Sequence, residues 1–374
     1  MASILIIYNE IPNERHNGGT IRVFYLLKEL SRYHDITLLT IPTSRSEKPA
    51  TGYLKFCREV ILAPSFVEEF LRLSPLEFFR FIWNNFYYLC QLRFSSKPEM
   101  VRKHFLQVYC LKRELKNILK KKSFNYIQVE YAYLGEVLSG INGQYGKIID
   151  FHEVYDWTSY LAPVYDIALS CSKKDVYRLK KMDFKKVLLV ANGVDTKTTK
   201  PLTFSKEAKR LLFVGDLMYG PNKQAIRYFL HNIYPLLEKP IPLNIIGRYD
   251  QNDFKNELNM PGAKFHGFLP AIDSYFQNAV FICPILEGGG TRIKILTAFL
   301  KGAPVVSTAK GAEGIECTDG KDIIITNSAK QFAKEIGLLL NDVKRYNQVR
   351  NAGRDLVDKN YDWRKTILNY AKNL

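Results

Sequence analysis

The feature that most constrains the fold is a strand–helix–strand pattern that begins at the N-terminus and starts again after residue 210. Residues 4–8 form a short apolar run, residues 18–20 lie in a polar glycine-containing loop, and residues 21–30 have helical periodicity. Residues 35–40 form the next predicted strand. A buried strand, a glycine-rich crossover and a second strand are typical of a doubly wound parallel sheet.

Further short apolar runs complete two series of predicted strands, with helical segments between them. The first series continues at 60–62, 126–130, 147–150 and 188–191, and the second contains 211–214, 243–246, 280–283, 304–307 and 322–325. A chain of 374 residues is long enough for two domains. We therefore predict an α/β protein with two Rossmann-like domains, at 1–192 and 193–355, followed by a C-terminal helix at 356–374.

The charge of the chain favours a polyanionic partner. There are 54 Lys and Arg residues against 37 Asp and Glu residues, a formal net charge of +17. Nucleic acid, anionic lipid and a phosphorylated ligand all fit this charge. Residues 66–94 are rich in aromatic side chains, and residues 102–122 contain eight basic residues and one acidic residue. Together the two segments fit a membrane surface. The alternatives are a buried helical pair for residues 66–94 and a solvated helix face for residues 102–122.

The six cysteines argue against a zinc site or a disulfide framework. None of them has C-x-x-C spacing, which favours a reducing compartment. The sequence also has no run of 18 uncharged apolar residues that could span a membrane. We expect a cytoplasmic protein without a bound metal, with attachment to the inner face of the cell membrane through residues 66–122 as an option.

A glycine-rich loop at 284–292 is the strongest candidate site. Gly288, Gly289 and Gly290 follow a predicted buried strand and precede a helix, and Arg292 and Lys294 come directly after them. Backbone N–H groups without neighbouring side chains, a helix N-terminus and two cations suit a diphosphate. The alternative is a plain tight turn into a helix. The spacing is neither G-x-G-x-x-G nor a P-loop.

A set of motifs occurs in order along almost the whole chain. In the second half they are 215–222 (GDLMYGPN), 247–248 (GR), 267–270 (GFLP), 288–294 (GGGTRIK), 304–308 (PVVST), 311–314 (GAEG) and 361–364 (YDWR). In the first half they are 18–22 (GGTIR), 128–130 (QVE), 150–152 (DFH) and 192–195 (NGVD). The chain thus resembles GT-B glycosyltransferases of glycosyltransferase family 4, in particular the bacterial surface polysaccharide branch.

The resemblance implies an activity and its partners. The two domains would face an interdomain cleft, and the second would bind a nucleotide-diphosphate sugar as co-substrate, with no further cofactor. The C-terminal helix at 356–374 would pack back on the first domain. The enzyme would transfer a hexosyl group, with retention and without a metal, to a glycan or lipid-linked acceptor in surface polysaccharide biosynthesis. Nucleic acid is not an expected partner, because no nucleic-acid-binding motif is present.

The resemblance also implies roles for individual residues. His152, oriented by Asp150, would act near the donor sugar, while Arg292 and Lys294 would neutralise the leaving diphosphate. Family motifs place the remaining donor-binding positions at Gly18, Gly19, Gly215, Arg248, Phe268, Gly288, Gly289, Gly290, Thr291, Thr297 and Glu313. The main chain around Phe268 would form the wall against which the base lies.

Two departures from the family pattern favour an alternative. Thr297 stands where the family has a glutamate that binds the ribose, and loss of such a charged hydrogen bond would cost about 1.5–3 kcal/mol. Only nineteen residues separate His152 from Ser172, fewer than the family usually has. The alternative is a catalytically degenerate relative that acts as a partner or scaffold for another transferase.

Overall fold

The structure is a computed structural model that describes residues 1–14, 17–41, 55–64, 98–197, 199 and 210–374. It divides into a first unit, Met1–Val190 with Ile367–Leu374, and a second unit, Ala191–Thr366. In the described residues each unit is built on one parallel β-sheet with helices in the crossovers. This confirms the predicted α/β class with two Rossmann-like units.

The first unit contains a seven-stranded sheet in the order β3-β2-β1-β4-β5-β6-β7 within the described residues. Its elements are β1 (Ser3–Ile7), α1 (Gly18–Leu30), β2 (Asp35–Thr40), β3 (Glu59–Leu62), α2 (Pro98–Leu119), β4 (Tyr126–Glu130), β5 (Gly146–Phe151), β6 (Ile167–Ser170), α3 (Lys173–Lys181) and β7 (Lys186–Leu189). Two 3₁₀ helices, Ala132–Leu138 and Asp156–Leu161, lie in the connections after β4 and β5. The central strand β1 is apolar and buried because it lies between β2 and β4.

The second unit contains a six-stranded sheet in the order β10-β9-β8-β11-β12-β13 within the described residues. Its elements are β8 (Arg210–Val214), α4 (Gly220–Tyr228), β9 (Leu243–Ile246), β10 (Ala263–Phe265), α5 (Asp273–Phe276), β11 (Ala279–Cys283), α6 (Ile293–Lys301), β12 (Val305–Ser307), β13 (Ile324–Ile325), α7 (Ala329–Asn341) and α8 (Val343–Asn360). The last helix, α9 (Trp363–Lys372), begins in the second unit, and its residues from Ile367 onward belong to the first unit. A π-helical turn, Phe229–Ile233, follows α4 directly.

Several predicted strands need correction. Strands β6 and β10 were not predicted, and the strand predicted at 188–191 lies at Lys186–Leu189. The last strand, Ile324–Ile325, is shorter than the predicted 322–325. Strand β10 is only half-buried and lies at the edge of its sheet, so its sequence lacks the apolar run of a central strand.

Residues 367–374 belong to the first unit through polar and backbone contacts at the end of α9. His34 Nε2 lies 2.9 Å from the carbonyl oxygen of Ala371, and Tyr126 OH donates to the carbonyl oxygen of Leu374 at 3.0 Å. Tyr370 OH also donates to Gln128 Oε1. The C-terminal residues therefore form hydrogen bonds with side chains of the α1–β2 connection and of β4.

Two sequence motifs that are distant in the chain pack on each other within the second unit. Val194 N–H donates to the carbonyl oxygen of Tyr361 at 2.8 Å, and Arg364 forms an ion pair with Asp195 at 3.2 Å. A Cβ atom at Gly193 would lie 2.8 Å from the same carbonyl oxygen. The motifs at 192–195 and 361–364 thus form one structural feature.

The aromatic segment at 66–94 lies outside the described residues. The basic segment that follows it forms the C-terminal part of α2 and the residues after it. None of the helices that the structure describes is both long enough and apolar enough to cross a bilayer.

Candidate functional site

The carboxyl ends of β8, β9 and β10 bring three predicted donor-binding segments together in the second unit. Gly215 N–H donates to the carbonyl oxygen of Ile246 at 2.9 Å, and Gly247 N–H donates to the carbonyl oxygen of Gly267 at 2.9 Å. Leu217 N–H donates to the carbonyl oxygen of Arg248 at 2.8 Å. Ligands of open α/β sheets bind at this edge, where the loops after parallel strands meet.

Two glycines allow this close approach. Gly247 has a φ of +149°, and a Cβ atom there would lie 1.9 Å from the carbonyl oxygen of Gly215. A Cβ atom at Gly215 would lie 2.5 Å from Lys294 Nζ. Gly247 requires glycine because a side chain would collide with backbone, and a side chain at Gly215 would displace the Lys294 ammonium.

Arg292 binds the glycine loop itself. Its guanidinium donates to the carbonyl oxygens of Gly290 at 2.8 Å and Gly288 at 3.0 Å, and it also contacts those of Glu287 and Gly289. Gly288 and Gly290 adopt φ values of +92° and +71°, which favour glycine. The C=O and N–H of a trans peptide point in opposite directions. The N–H groups of residues 288–291 therefore point away from the guanidinium, as a phosphate-binding loop requires.

Lys294 is a partly buried cation in the first turn of α6. Its Nζ donates to Asn222 Oδ1 at 2.7 Å and lies 4.5 Å from the centroid of the Phe213 ring. Burial, together with the charge of Arg292, lowers the pKa of Lys294 to about 8. The ammonium is thus charged at neutral pH but poorly solvated, so an anion beside it would gain a strong partner.

Asn222 is a site residue that the sequence analysis did not select individually. It is buried, accepts from Lys294, and its Nδ2 donates to the carbonyl oxygen of Asp216 at 2.8 Å. Its only sequence signal was its place in the motif at 215–222. The amide fixes the position of the Lys294 ammonium relative to the loop after β8.

Other predicted donor-binding residues make contacts inside the protein. Arg248 forms an ion pair with Asp216, and Glu313 forms one with Lys310. Thr297 Oγ1 donates to the carbonyl oxygen of Ile293 at 3.0 Å, within α6. Phe268 is exposed, and Thr291 is buried. The hydroxyl of Thr297 therefore donates its hydrogen bond to the helix backbone.

Gly18 and Gly19 begin α1 in the first unit. Asn17 caps this helix: Thr20 N–H donates to Asn17 Oδ1 at 3.0 Å, and Asn17 N–H donates to Thr20 Oγ1 at 3.1 Å. A Cβ atom at Gly19 would lie 1.6 Å from Tyr131 OH. Gly19, in the first turn of α1, thus lies directly against Tyr131, the residue that follows β4.

A buried ion pair connects α1 with β5. The Arg22 guanidinium donates to both carboxylate oxygens of Asp150 at 2.9 Å, and its Nη1 donates to the carbonyl oxygen of Val190 at 2.8 Å. Both side chains are buried. The guanidinium and the carboxylate thus form a bidentate ion pair, in which each carboxylate oxygen accepts one hydrogen bond from Arg22.

The predicted partner of His152 needs correction. His152 Nε2 lies 2.9 Å from Glu130 Oε2 and 4.0 Å from Asp150 Oδ2, so Glu130 orients the ring while Arg22 binds Asp150. Burial and the charge of Asp150 raise the pKa of Glu130 well above its usual range, and burial lowers the pKa of His152 to about 3. Both shifts favour an uncharged pair that shares a proton.

Tyr131 links these features and was not predicted from the sequence. It has a φ of +70°, which is strained for a bulky residue. Its ring lies 3.9 Å from the His152 ring and 4.9 Å from the Tyr133 ring, centroid to centroid. The ring is therefore held between Gly19 and His152.

Among the described residues, Glu130, Asp150 and His152 offer ligand atoms within 4.8 Å of one another, close enough to hold a metal ion. The guanidinium of Arg22 occupies Asp150 from the other side and would repel a cation. The arrangement therefore suits a hydrogen-bonded network better than a metal centre.

A family match covers the part of the second unit that contains the glycine loop. The sequence model of the family described as "Glycosyl transferases group 1" matches residues 208–342. This span contains Gly215, Asn222, Arg292 and Lys294. The second unit contains a glycosyl transferases group 1 domain. The matched range therefore includes both the glycine loop and Lys294.

Similar proteins cover the whole chain. A Klebsiella pneumoniae protein described as an uncharacterized 44.6 kDa protein in a cps region is 24% identical over 410 residues, with 100% of both chains covered. Sucrose-phosphate synthase of Thermosynechococcus elongatus has a TM-score of 0.75 at 15% identity, covering 100% of this chain and 98% of its own. HepE of Anabaena, solved with UDP and glucose, has a TM-score of 0.71 at 11% identity, covering 100% and 99%. The chain has the GT-B fold of these two solved structures.

Proposed function

We propose that this protein is a glycosyltransferase that moves a hexosyl group, with retention, from a nucleotide-diphosphate sugar to a glycan or lipid-linked acceptor. The observation that carries the proposal is the glycine loop with Arg292 and Lys294 in the glycosyl transferases group 1 domain. There, the Arg292 guanidinium donates hydrogen bonds to carbonyl oxygens of the loop. The poorly solvated Lys294 ammonium lies beside Gly215. The HepE structure with UDP and glucose supports a nucleotide-sugar donor, and the cps relative supports surface polysaccharide biosynthesis.

The chemistry follows from charge development on the leaving group. As the glycosidic bond to the diphosphate breaks, negative charge grows on the β-phosphate. The N–H groups of residues 288–291 and the Lys294 ammonium are preorganised donors for that charge, which makes a bound metal unnecessary. Arg292 acts by holding the loop in the required conformation.

The first unit would supply the remaining groups. In the proposed reaction, Gly18 and Gly19 approach donor and acceptor, and the neutral His152, oriented by Glu130, offers a hydrogen bond to a sugar hydroxyl. We further propose a cytoplasmic protein, with attachment to the inner membrane face through residues 66–122.

Thermal shift with UDP, GDP and ADP tests the donor site. A ligand present at a hundred times its dissociation constant stabilises the folded protein by about 2.7 kcal/mol. We expect one nucleotide to stabilise the wild type, and Thr297→Glu to increase the affinity for that nucleotide by adding a carboxylate acceptor for the ribose. Stabilisation by none of the three would contradict the transferase proposal.

Thr297 also supports a second candidate function, a degenerate transferase that acts as a scaffold. Its hydroxyl donates to the carbonyl oxygen of Ile293, so a single weak acceptor replaces the family carboxylate. A scaffold that lost its donor site in this way would ignore all three nucleotides as wild type and bind one of them as Thr297→Glu.

The pKa of Lys294 predicts how donor binding depends on pH. The lysine is charged below its pKa of about 8, and it loses its charge as the pH rises through that value. The diphosphate stays ionised over this range, so nucleotide affinity should fall about tenfold between pH 7 and pH 9 if only the charged lysine binds. Isothermal calorimetry at several pH values measures this slope. A slope that persists in Lys294→Met would exclude Lys294 as its cause.

A further inference from the structure

Three exposed aromatic side chains lie together on the segment that follows His152. Tyr155, Trp157 and Tyr160 are 42%, 49% and 47% exposed. The rings of Tyr155 and Trp157 are 5.6 Å apart with an 11° angle between planes, and those of Trp157 and Tyr160 are 6.3 Å apart with a 24° angle. We call these three rings the aromatic ladder. A contiguous exposed apolar surface of this kind marks an interaction site.

The ladder is held in place by contacts on its other side. Arg178 of α3 donates to the carbonyl oxygen of Val154 and to Asp156 Oδ1, both at 2.8 Å. Thr158 is buried and its Oγ1 donates to the carbonyl oxygen of Tyr155 at 2.6 Å. The rings therefore lie on a preorganised backbone, which reduces the entropy that a ligand must overcome.

Polar groups accompany the rings. The Asp156 carboxylate is 95% exposed and lies between Tyr155 and Trp157 in the sequence, and the Arg178 guanidinium binds it. Tyr155 OH donates to the Glu153 carboxylate. Apolar faces with a few fixed polar groups at their edges match a sugar ring, which has C–H faces and a rim of hydroxyl groups.

We propose that the aromatic ladder binds the glycan part of the acceptor. The inference rests on the proposed glycosyltransferase function and adds an acceptor subsite to it. Tyr155 follows His152 by three positions and Trp157 follows it by five. The Cα atoms of Tyr155 and Trp157 thus lie within about 11 Å and about 18 Å of that of His152. An acceptor of a few sugar residues could contact the ladder and the neighbourhood of His152 together.

The carboxylates favour a glycan over a lipid surface. Helix α3 is rich in lysine, and lysines beside exposed tryptophan and tyrosine are also found at membrane interfaces. However, Glu153 accepts a hydrogen bond from Tyr155 OH, and the exposed Asp156 directly precedes Trp157 in the chain. An anionic bilayer that covered the rings would repel and desolvate these carboxylates. Sugar hydroxyls would instead donate hydrogen bonds to both.

The test is binding of the full-length protein to an immobilised array of bacterial surface oligosaccharides, followed by titration of one bound oligosaccharide. Trp157→Ala removes the central ring, and Trp157→Phe keeps an aromatic face. Tyr177→Ala is the matched control, because Tyr177 is an exposed aromatic residue on α3 that contacts Lys181 and not the ladder. Circular dichroism and thermal unfolding check that all variants are folded.

We expect the wild type to bind, Trp157→Ala to bind at least tenfold more weakly, and Trp157→Phe and Tyr177→Ala to bind within threefold of the wild type. Absence of array binding, or equal weakening by Tyr177→Ala, would overturn the proposal. So would Trp157-dependent binding to phosphatidylglycerol vesicles without oligosaccharide binding, which would assign the ladder to a lipid surface.

The nucleotide thermal shift separates this proposal from the proposed function. A protein that binds a nucleotide but no oligosaccharide would retain the transferase assignment and lose the ladder subsite. A protein that binds oligosaccharide through Trp157 but no nucleotide would retain the subsite and lose the transferase assignment.

Discussion

Replacing Lys294 with methionine should lower the affinity for the bound nucleoside diphosphate about tenfold to a hundredfold, because a hydrogen bond to a charged group contributes about 1.5–3 kcal/mol. The variant should still unfold at or above the wild-type temperature. Burial lowers the pKa of Lys294, which means that the empty site destabilises the charged ammonium. Methionine removes that cost and offsets the lost hydrogen bond to Asn222. Calorimetry measures the affinity, and thermal unfolding without ligand measures the stability.

Lys301→Met is the matched control for this experiment. Lys301 is the last residue of the same helix α6, and it forms an ion pair with Asp273 at 2.7 Å. The control makes the same change in charge at the opposite end of the helix, so it should leave nucleotide affinity within twofold of the wild type. Equal losses in the two variants would mean that net charge, rather than the position of Lys294, controls binding.

Replacing Arg22 with methionine should lower the free energy of unfolding of the first unit by about 3–5 kcal/mol, because breaking a buried ion pair leaves an uncompensated charge. The stranded group is the Asp150 carboxylate, which is buried and loses both of its 2.9 Å hydrogen bonds to the guanidinium. The carbonyl oxygen of Val190 loses a donor as well. Thermal and urea unfolding measure the loss.

The exposed pair between Arg58 and Asp35 provides the comparison. Their contact is 3.3 Å long and both side chains are exposed, so Arg58→Met should cost less than about 1 kcal/mol. The double variant Arg22→Met with Asp150→Leu should recover part of the stability, because it removes the stranded carboxylate. A loss in Arg22→Met no greater than in Arg58→Met would contradict the assigned role of the buried pair.

The sequence was informative about the second unit because its site is local. Gly288, Gly290, Arg292 and Lys294 lie within seven positions, and the three-glycine run with two cations predicted a phosphate-binding loop from that spacing alone. For one of them the structure adds contacts that the spacing did not predict. Arg292 is adjacent to the glycines, and only the loop conformation showed that its guanidinium binds their carbonyl oxygens.

The first unit was harder to interpret because its contacts join residues that are far apart in the chain. The sequence paired His152 with Asp150, its nearest carboxylate, whereas the structure pairs it with Glu130 on the neighbouring strand. Parallel strands place Glu130 opposite Asp150 on the same face of the sheet. Arg22 binds the Asp150 carboxylate, so Glu130 is the carboxylate that contacts the ring. Tyr131 left no sequence signal, because positive φ arises from the packing that surrounds it.

The sequence by itself determined the fold class, the two-unit organisation and the position of the glycine loop. These follow from periodicity and from local backbone chemistry, which act over a few residues. The tertiary structure alone decided which polar groups pair, how the pKa values of His152 and Lys294 shift, and that Tyr155, Trp157 and Tyr160 remain exposed. Those properties depend on burial and on contacts between distant residues, and neither is encoded in the spacing of residues along the chain.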